Sequence, residues 1–244
     1  MREYFTKLGS PFHIYNRGTE KRVIFSDYHG YCRFVCLMWI ARIGKPNMNL
    51  SRKNVIKAAQ DILSGKEPDP TLYTKQRPPL VAFITWTLLP NHLHFILVSL
   101  VPGGISKYMA KLANAYTKYF NARHQRNGRL FQSSYQSIEI DSPQYFDVLI
   151  RYINFNQAEL IEPKWKERRL KNKERIKNFA DNYQWSAHQE FLGKRQSLLI
   201  DRELVSKLFG KPFTERGLEG YSEFIEQWFS DDFAPYQKYT REPA

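Results

Sequence analysis

The chain has 244 residues, and what it lacks in one long segment is most informative: no aspartate or glutamate occurs anywhere in residues 71–138. Over its whole length the chain carries 37 lysine and arginine residues against 24 aspartate and glutamate residues, a formal net charge of +13. Such an excess is typical of proteins that bind polyanions, nucleic acid above all, because carboxylates repel phosphate groups. The acid-free segment therefore predicts a surface that faces phosphate.

Cysteine is scarce and long apolar runs are missing. The two cysteines, Cys32 and Cys36, lie four residues apart in a helical pattern, where we expect reduced core residues. No apolar run reaches the roughly 18 residues that a membrane helix needs, and residues 1–5 lack the apolar core of a secretory signal. We therefore expect a cytoplasmic, nucleoid-associated protein with no membrane partner.

A pair of histidines stands inside an apolar strand pattern. Residues 80–88 and 92–98 are rich in branched and aromatic side chains, and Pro90-Asn91 between them predicts a tight turn, so the two strands should pair as an antiparallel hairpin. His92 and His94 are two residues apart on the second strand, and their side chains therefore point to the same face. A single strand histidine is usually a core or surface residue with its hydrogen bonds satisfied, whereas two on one buried face suit a metal ion or a phosphate.

The order of predicted elements is strand, helix, strand, strand, helix, strand, helix, which matches the split ferredoxin-like arrangement. The predicted fold class is therefore α+β, with a ferredoxin-like antiparallel sheet, flanking helices over one face and a helical C-terminal extension. Residues 44–79 are polar and rich in proline, and they read as an insertion with a short helix over 51–63. We expect a catalytic domain over residues 1–163, followed by a basic linker and helical extension over 164–244.

Three further segments are predicted from local signals. Ser106 is the expected cap of a long helix that runs to about residue 122, and residues 133–140 are expected to form a strand. Ser142 followed by Pro143 predicts another helix start. On that helix Tyr152 and Asn156 share one flank of the apolar stripe, where a tyrosine is usually a packing residue.

Several of these motifs, taken in order, resemble one family. Pro90-Asn91-His92-Leu93-His94, then Gly128-Arg129-Leu130-Phe131-Gln132, then Arg151-Tyr152-Ile153-Asn154-Phe155-Asn156 look like the signatures of the REP-associated tyrosine transposases, within the HUH single-strand endonuclease superfamily. The resemblance implies the HUH endonuclease fold, with Tyr152 as the nucleophile that forms a 5′-phosphotyrosine. It also implies that His92, His94 and Asn156 bind a divalent ion, Mg²⁺ or Mn²⁺. Asn154 and Gln157 depart from the family, where many members carry histidine and proline.

The implied function is a metal-dependent endonuclease and strand transferase that cuts single-stranded DNA beside hairpins in palindromic repeats. The expected partners are single-stranded and hairpin DNA, and the protein is expected to be a monomer or a homodimer. An alternative is a domesticated hairpin-binding protein that does not cleave. The candidate phosphate contacts are basic residues on both sides of the motifs: Arg17, Lys107, Lys111, Arg126, Arg129, Lys164, Lys166, Arg168 and Arg169.

Overall fold

The structure is a computed structural model that describes residues 9–47, 52–75, 78–163, 165 and 172–230. The described helices and strands, in chain order, are β1 (Pro11–Arg17), α1 (Tyr28–Ile43), β2 (Gly44–Pro46), α2 (Arg52–Leu63), β3 (Tyr73–Lys75), β4 (Val81–Leu89), β5 (His92–Ser99), α3 (Gly104–Arg123), β6 (Gln136–Glu139), α4 (Pro143–Phe155), α5 (Lys173–Asn182), α6 (His188–Phe191), α7 (Arg202–Phe209), β7 (Phe213–Thr214), β8 (Gly217–Leu218) and α8 (Tyr221–Ser230). None of the described helices is long and apolar enough to cross a membrane.

The central sheet has four antiparallel strands in the order β4-β5-β1-β6. Strands β4 and β5 form the predicted hairpin, and β1 then lies between β5 and β6. With α1 after β1 and α3 after β5, this is the ferredoxin-like connection order. The predicted α+β, ferredoxin-like fold class with flanking helices is thereby confirmed.

Helices cover both faces of the β4-β5 hairpin, so every residue of these two strands is buried. On one face Phe83 packs edge-on against Phe95 of β5 and Tyr108 of α3, with ring centroids 5.3 and 5.6 Å apart. The other face carries His92 and His94 and meets α4, because neighbouring strand residues point in opposite directions. The expectation of helices over one face thus holds for α1 and α3, while α4 lies on the opposite face.

Two boundaries differ from the sequence prediction. Helix α3 starts at Gly104 after Gly103, which adopts the left-handed φ of 68°, so Ser106 lies inside the first turn and is not the cap. The hydroxyl of Ser99 on β5 instead accepts a hydrogen bond from the Gly104 N–H, at 3.1 Å. Strand β6 covers only Gln136–Glu139, shorter than the predicted 133–140.

The described residues of the predicted insertion, 44–47, 52–75 and 78–79, pack on α1. Strands β2 and β3 pair antiparallel, and α2 buries Val55, Ala59 and Ile62 in the core. This buried apolar stripe explains how a mostly polar segment packs against the rest of the fold.

Residues beyond α5 bind the outer edge of the sheet. The Ala187 N–H donates to the Trp86 carbonyl at 2.8 Å, the Leu88 N–H donates to the Trp185 carbonyl at 2.9 Å, and the Asp201 N–H donates to the Phe83 carbonyl at 3.0 Å. Exposed strand edges are prone to unwanted pairing, and these bonds cover the free edge of β4. The division of the chain at residue 163 stays a prediction, but the described part of the C-terminal extension packs directly on the sheet.

Candidate active site

The two histidines lie side by side on β5, as the alternation of a strand requires. Both are buried, with ring centroids 5.2 Å apart and ring planes nearly perpendicular at 87°. The register of β1 against β5 sets Arg17 opposite His92 and Tyr15 opposite His94. The histidine face of the sheet therefore also carries a cation and an aromatic ring.

Each histidine has a hydrogen-bond partner at its Nδ1 atom. His92 Nδ1 lies 2.6 Å from Asn91 Oδ1, and Asn91 Nδ2 donates to the Lys21 carbonyl at 3.3 Å. His94 Nδ1 lies 3.0 Å from Nε2 of His13 on β1. In both histidines the Nε2 atom is therefore the nitrogen left for a metal ion.

Helix α4 brings the tyrosine and the asparagine to this pair. Its start follows the predicted signal, because the Ser142 hydroxyl accepts from the Tyr145 N–H at 3.3 Å and proline occupies the first turn. The Tyr152 ring meets the His94 ring edge-to-face, with centroids 5.5 Å apart. Asn156, at the end of the helix, places its Nδ2 atom 3.3 Å from His92 Nε2.

The residues around His92 fit a divalent metal ion. Asn156 Oδ1 is buried and has no hydrogen-bond partner among the described residues. Without a metal ion, Asn156 Nδ2 can donate to His92 Nε2; with an ion bound there, exchange of the amide N and O atoms would set the oxygen 3.3 Å from that nitrogen. Adjacent ligands of an octahedral ion with bonds of about 2.1 Å lie roughly 3.0 Å apart, so this spacing suits two ligands of one ion.

The donor set itself is sparse. Within the described part of the chain no group of three or more histidine, cysteine, aspartate or glutamate side chains could hold a metal. A metal at this site would therefore use two imidazoles and an amide oxygen. Such a mixed set suits Mn²⁺, tolerates Mg²⁺ and leaves coordination positions for substrate oxygens.

Tyr152 is held in its neutral form. Burial raises the pKa of its phenol well above the ordinary value, and the negative charge of Glu159 raises this pKa further. The nearby Arg17 guanidinium lowers it, and thereby opposes Glu159. The residue is 1% exposed and its ring stacks on that of Trp165 with centroids 5.9 Å apart, so any ligand would reach the phenol only after a covering side chain moves.

The candidate phosphate contacts fall in different parts of the molecule. Arg17 lies at the end of β1, on the histidine face. Arg126 and Arg129 lie in the loop after α3. This loop approaches the same end of β1, because the Gln132 N–H donates to the Arg17 carbonyl at 2.8 Å. Lys107 and Lys111 are on α3, which packs on the other face. The remaining candidates lie outside the described residues: Lys164, Lys166, Arg168 and Arg169.

Three side chains next to the site were missed by sequence reasoning. His13 contacts His94 across 81 positions of sequence, Glu159 acts on the Tyr152 phenol, and Asn91 orients His92 from within the hairpin turn. Asn91 could have been found, because it adjoins the histidine motif. His13 and Glu159 have no local signal, since their proximity depends on strand register and on the turn after α4.

A family comparison agrees with the resemblance that the motifs indicate. Residues 73–156 match the family model described as Transposase IS200 like, and this segment holds all four of Tyr152, His92, His94 and Asn156. A solved structure of a REP-associated tyrosine transposase bound to a REP hairpin is similar over 78% of this chain and 83% of its own, with 16% identity and a TM-score of 0.41. No curated protein matches the chain.

Proposed function

We propose that this chain, whose residues 73–156 belong to the IS200-like transposase family, is a metal-dependent endonuclease and strand transferase for single-stranded DNA beside a hairpin. The observation that carries the proposal is the meeting of four side chains on one buried face: Tyr152 and Asn156 from α4 with His92 and His94 from β5.

Tyr152 would act as the nucleophile. Its phenol oxygen attacks the scissile phosphorus, the bond from phosphorus to the 3′ oxygen breaks, and the 5′ end of the DNA stays on the tyrosine as a phosphate ester. The phenol gives up its proton, and the departing 3′ oxygen gains one. The reverse attack by another 3′ hydroxyl rejoins DNA without a nucleotide cofactor, because the ester keeps the free energy of the broken bond.

His92, His94 and Asn156 would hold the metal ion. A bound Mg²⁺ or Mn²⁺ supplies polarisation of the scissile phosphate and stabilises the charge that develops on it. Arg17, which pairs with His92 across the two strands, would attract the same phosphate, and its charge lowers the pKa of the Tyr152 phenol. The acid-free segment 71–138 keeps carboxylates away from the DNA.

The burial of Tyr152 favours a second candidate function. A phenol that is 1% exposed, stacked on Trp165 and held neutral is also what a hairpin-binding protein without cleavage activity would show. In that case the histidine face would bind DNA and Tyr152 would serve only as a core residue.

The experiment that separates the two is a covalent-adduct assay. Purified protein is incubated with Mn²⁺ and labelled hairpin DNA that carries single-stranded flanks, and the products are separated on a denaturing gel. A shifted protein–DNA band is expected for the wild type and for the matched control Tyr145→Phe, which changes a buried tyrosine seven residues earlier on the same helix. Tyr152→Phe should give no such band.

Other outcomes decide the alternative. Hairpin binding in a gel shift, without an adduct in either the wild type or Tyr152→Phe, would favour the protein that binds and does not cleave. An adduct that persists in Tyr152→Phe would show that another residue is the nucleophile, and would refute the assignment.

A further inference from the structure

We infer that His13 is a positioning residue: it accepts a hydrogen bond from His94 and holds that imidazole in the one tautomer that binds a metal ion. The inference rests on the proposed metal site. It concerns a residue outside segment 73–156, on a strand that joins the site only through pairing in the sheet.

The contact between the two rings is direct and buried. His13 Nε2 and His94 Nδ1 are 3.0 Å apart, and the two rings are nearly parallel, with centroids 5.3 Å apart and planes inclined by 18°. His13 is 4% exposed and His94 is 2% exposed. Between two neutral imidazoles at this distance there is room for one proton, so one ring donates and the other accepts.

The direction of this bond decides whether His94 can bind a metal. If His94 Nδ1–H donates to His13 Nε2, then His94 Nε2 carries a lone pair and is able to coordinate an ion. If His13 Nε2–H donates instead, the His94 proton sits on Nε2 and blocks coordination. A site that uses His94 therefore requires His13 to be the acceptor, with its own proton on Nδ1.

The other metal ligand, His92, has a partner that allows only one direction. Asn91 Nδ2 donates to the Lys21 carbonyl, which can only accept, so Asn91 Oδ1 faces His92 and must accept from His92 Nδ1–H. His13 would do for His94 what Asn91 does for His92. Such outer partners orient metal-bound histidines and raise their basicity as ligands.

A packing role alone does not account for a histidine at position 13. His13 Nδ1 is buried and has no hydrogen-bond partner among the described residues, so the ring leaves one polar atom unsatisfied. Ile14, the next residue on the same strand, fills the opposite face with an apolar side chain. An apolar residue at position 13 would avoid the unsatisfied nitrogen, whereas histidine retains it and supplies the acceptor that His94 needs.

The test uses ¹⁵N-histidine-labelled full-length protein and has two readouts. Nitrogen chemical shifts give the tautomer of His94 without metal or DNA, and calorimetric titration gives the affinity for Mn²⁺. In the wild type we expect the His94 proton on Nδ1. In His13→Phe we expect that proton to move to Nε2 and the Mn²⁺ affinity to fall about 10- to 100-fold, the usual effect of losing such a partner.

Two further variants keep the result interpretable. His13→Gln offers an amide oxygen as acceptor and should restore most of the Mn²⁺ affinity. His29→Gln changes a buried histidine on α1, away from the site, and should leave both readouts unchanged. Circular dichroism checks that each variant is folded. If His13→Phe does not fold, the test rests on the tautomer of His94 in the wild type and in His13→Gln, where the His94 proton should stay on Nδ1.

The inference is overturned if wild-type His94 carries its proton on Nε2, or if folded His13→Phe keeps both the tautomer and the Mn²⁺ affinity. Failure of the proposed function looks different. Unchanged Mn²⁺ binding in His92→Ala, or no covalent adduct with Tyr152, would refute the proposed metal-dependent nuclease. The tautomer of His94 would still show whether His13 accepts its hydrogen bond.

Discussion

Removing one buried hydroxyl, that of Tyr221 on α8, is expected to destabilise the whole fold. The hydroxyl accepts a hydrogen bond from Asn154 Nδ2 and lies 2.8 Å from each of its partners, Asn154 and His188 Nδ1. His188 Nε2 faces the Asp181 carboxylate at 2.9 Å, so this neutral ring donates there and accepts from Tyr221 at Nδ1. Tyr221 thus links the tyrosine helix α4 to the C-terminal extension.

The magnitude follows from what Tyr221→Phe leaves behind. The ring is 2% exposed and phenylalanine has the same shape, so the change removes an oxygen without opening a large cavity. The Asn154 amide N–H and the His188 Nδ1 atom each lose a buried partner, and each unsatisfied group costs about 1–3 kcal/mol. We expect a loss of about 2–6 kcal/mol in the free energy of unfolding, equivalent to a fall of roughly 4–24 °C in Tm for a chain of this size.

Urea unfolding followed by far-ultraviolet circular dichroism measures this loss. The matched control is Tyr28→Phe, which removes a hydroxyl from a tyrosine that is 44% exposed and should change the free energy of unfolding by less than about 0.5 kcal/mol. If Tyr221→Phe lost no more than this control, the hydroxyl would not be satisfying two buried groups, and the link between α8 and α4 would be refuted.

Three further predictions concern charge, pH and metal. Glu159→Gln should lower the pKa of the Tyr152 phenol and raise the single-turnover cleavage rate at a fixed neutral pH. Arg17→Gln should raise that pKa and lower the rate. Rate changes in the same direction for both variants would contradict the charge argument. Burial lowers the pKa of His188 below its ordinary 6.5, so the unfolded chain binds a proton that the folded chain does not, and the free energy of unfolding should fall as pH drops below 6.5, less steeply in His188→Gln. EDTA should abolish the covalent adduct and leave hairpin binding in a gel shift unchanged, since that binding rests on basic side chains.

Local signals predicted the elements that position the site. The hairpin turn at Pro90-Asn91 and the helix start at Ser142-Pro143 are set by neighbouring residues, and the structure shows both where they were expected. The start of α3 was placed wrongly at Ser106 because the cap position is held by Gly103, and the hydroxyl that accepts from the Gly104 N–H belongs to Ser99 on the preceding strand. Sequence signals for a helix start consider only neighbouring residues, so they cannot include Ser99, which lies on β5 and meets the first turn of α3 only in the folded chain.

The candidate site could be predicted only in part. The strand period paired His92 with His94 and the helix period paired Tyr152 with Asn156, but only the resemblance to the transposase family joined the two pairs into one site. The structure brings the four side chains together. His13 depends on the register between β1 and β5, which follows from how the whole sheet assembles. Sequence reasoning therefore found the proposed ligands and missed a side chain that orients one of them.

The C-terminal extension shows the same limit at a larger scale. The extension was predicted to be helical, and its described part contains α5, α6, α7 and α8. A prediction of helices does not identify what those helices bind, however. The bonds from Ala187 and Asp201 to β4 and from Tyr221 to Asn154 arise only once the sheet edge and α4 are in place.

The acid-free segment has a different meaning in three dimensions from the one that the sequence suggested. Several of its cations already bind carbonyl or carboxylate groups of the protein: Lys107 binds the Pro102 carbonyl, Lys111 the Gly44 carbonyl and Arg123 the Asp27 carboxylate. These side chains still contribute to a positive potential that attracts DNA over a distance of about 10 Å, because such a potential sums over charges whether or not they are bonded. Contact with a phosphate at the site would be a second role, and Arg17, which pairs with His92 across β1 and β5, is the predicted phosphate contact that lies beside the histidine pair. Under the proposed function, the missing carboxylates would favour attraction to DNA, whereas the position of cleavage would depend on Arg17 together with His92, His94, Tyr152 and Asn156.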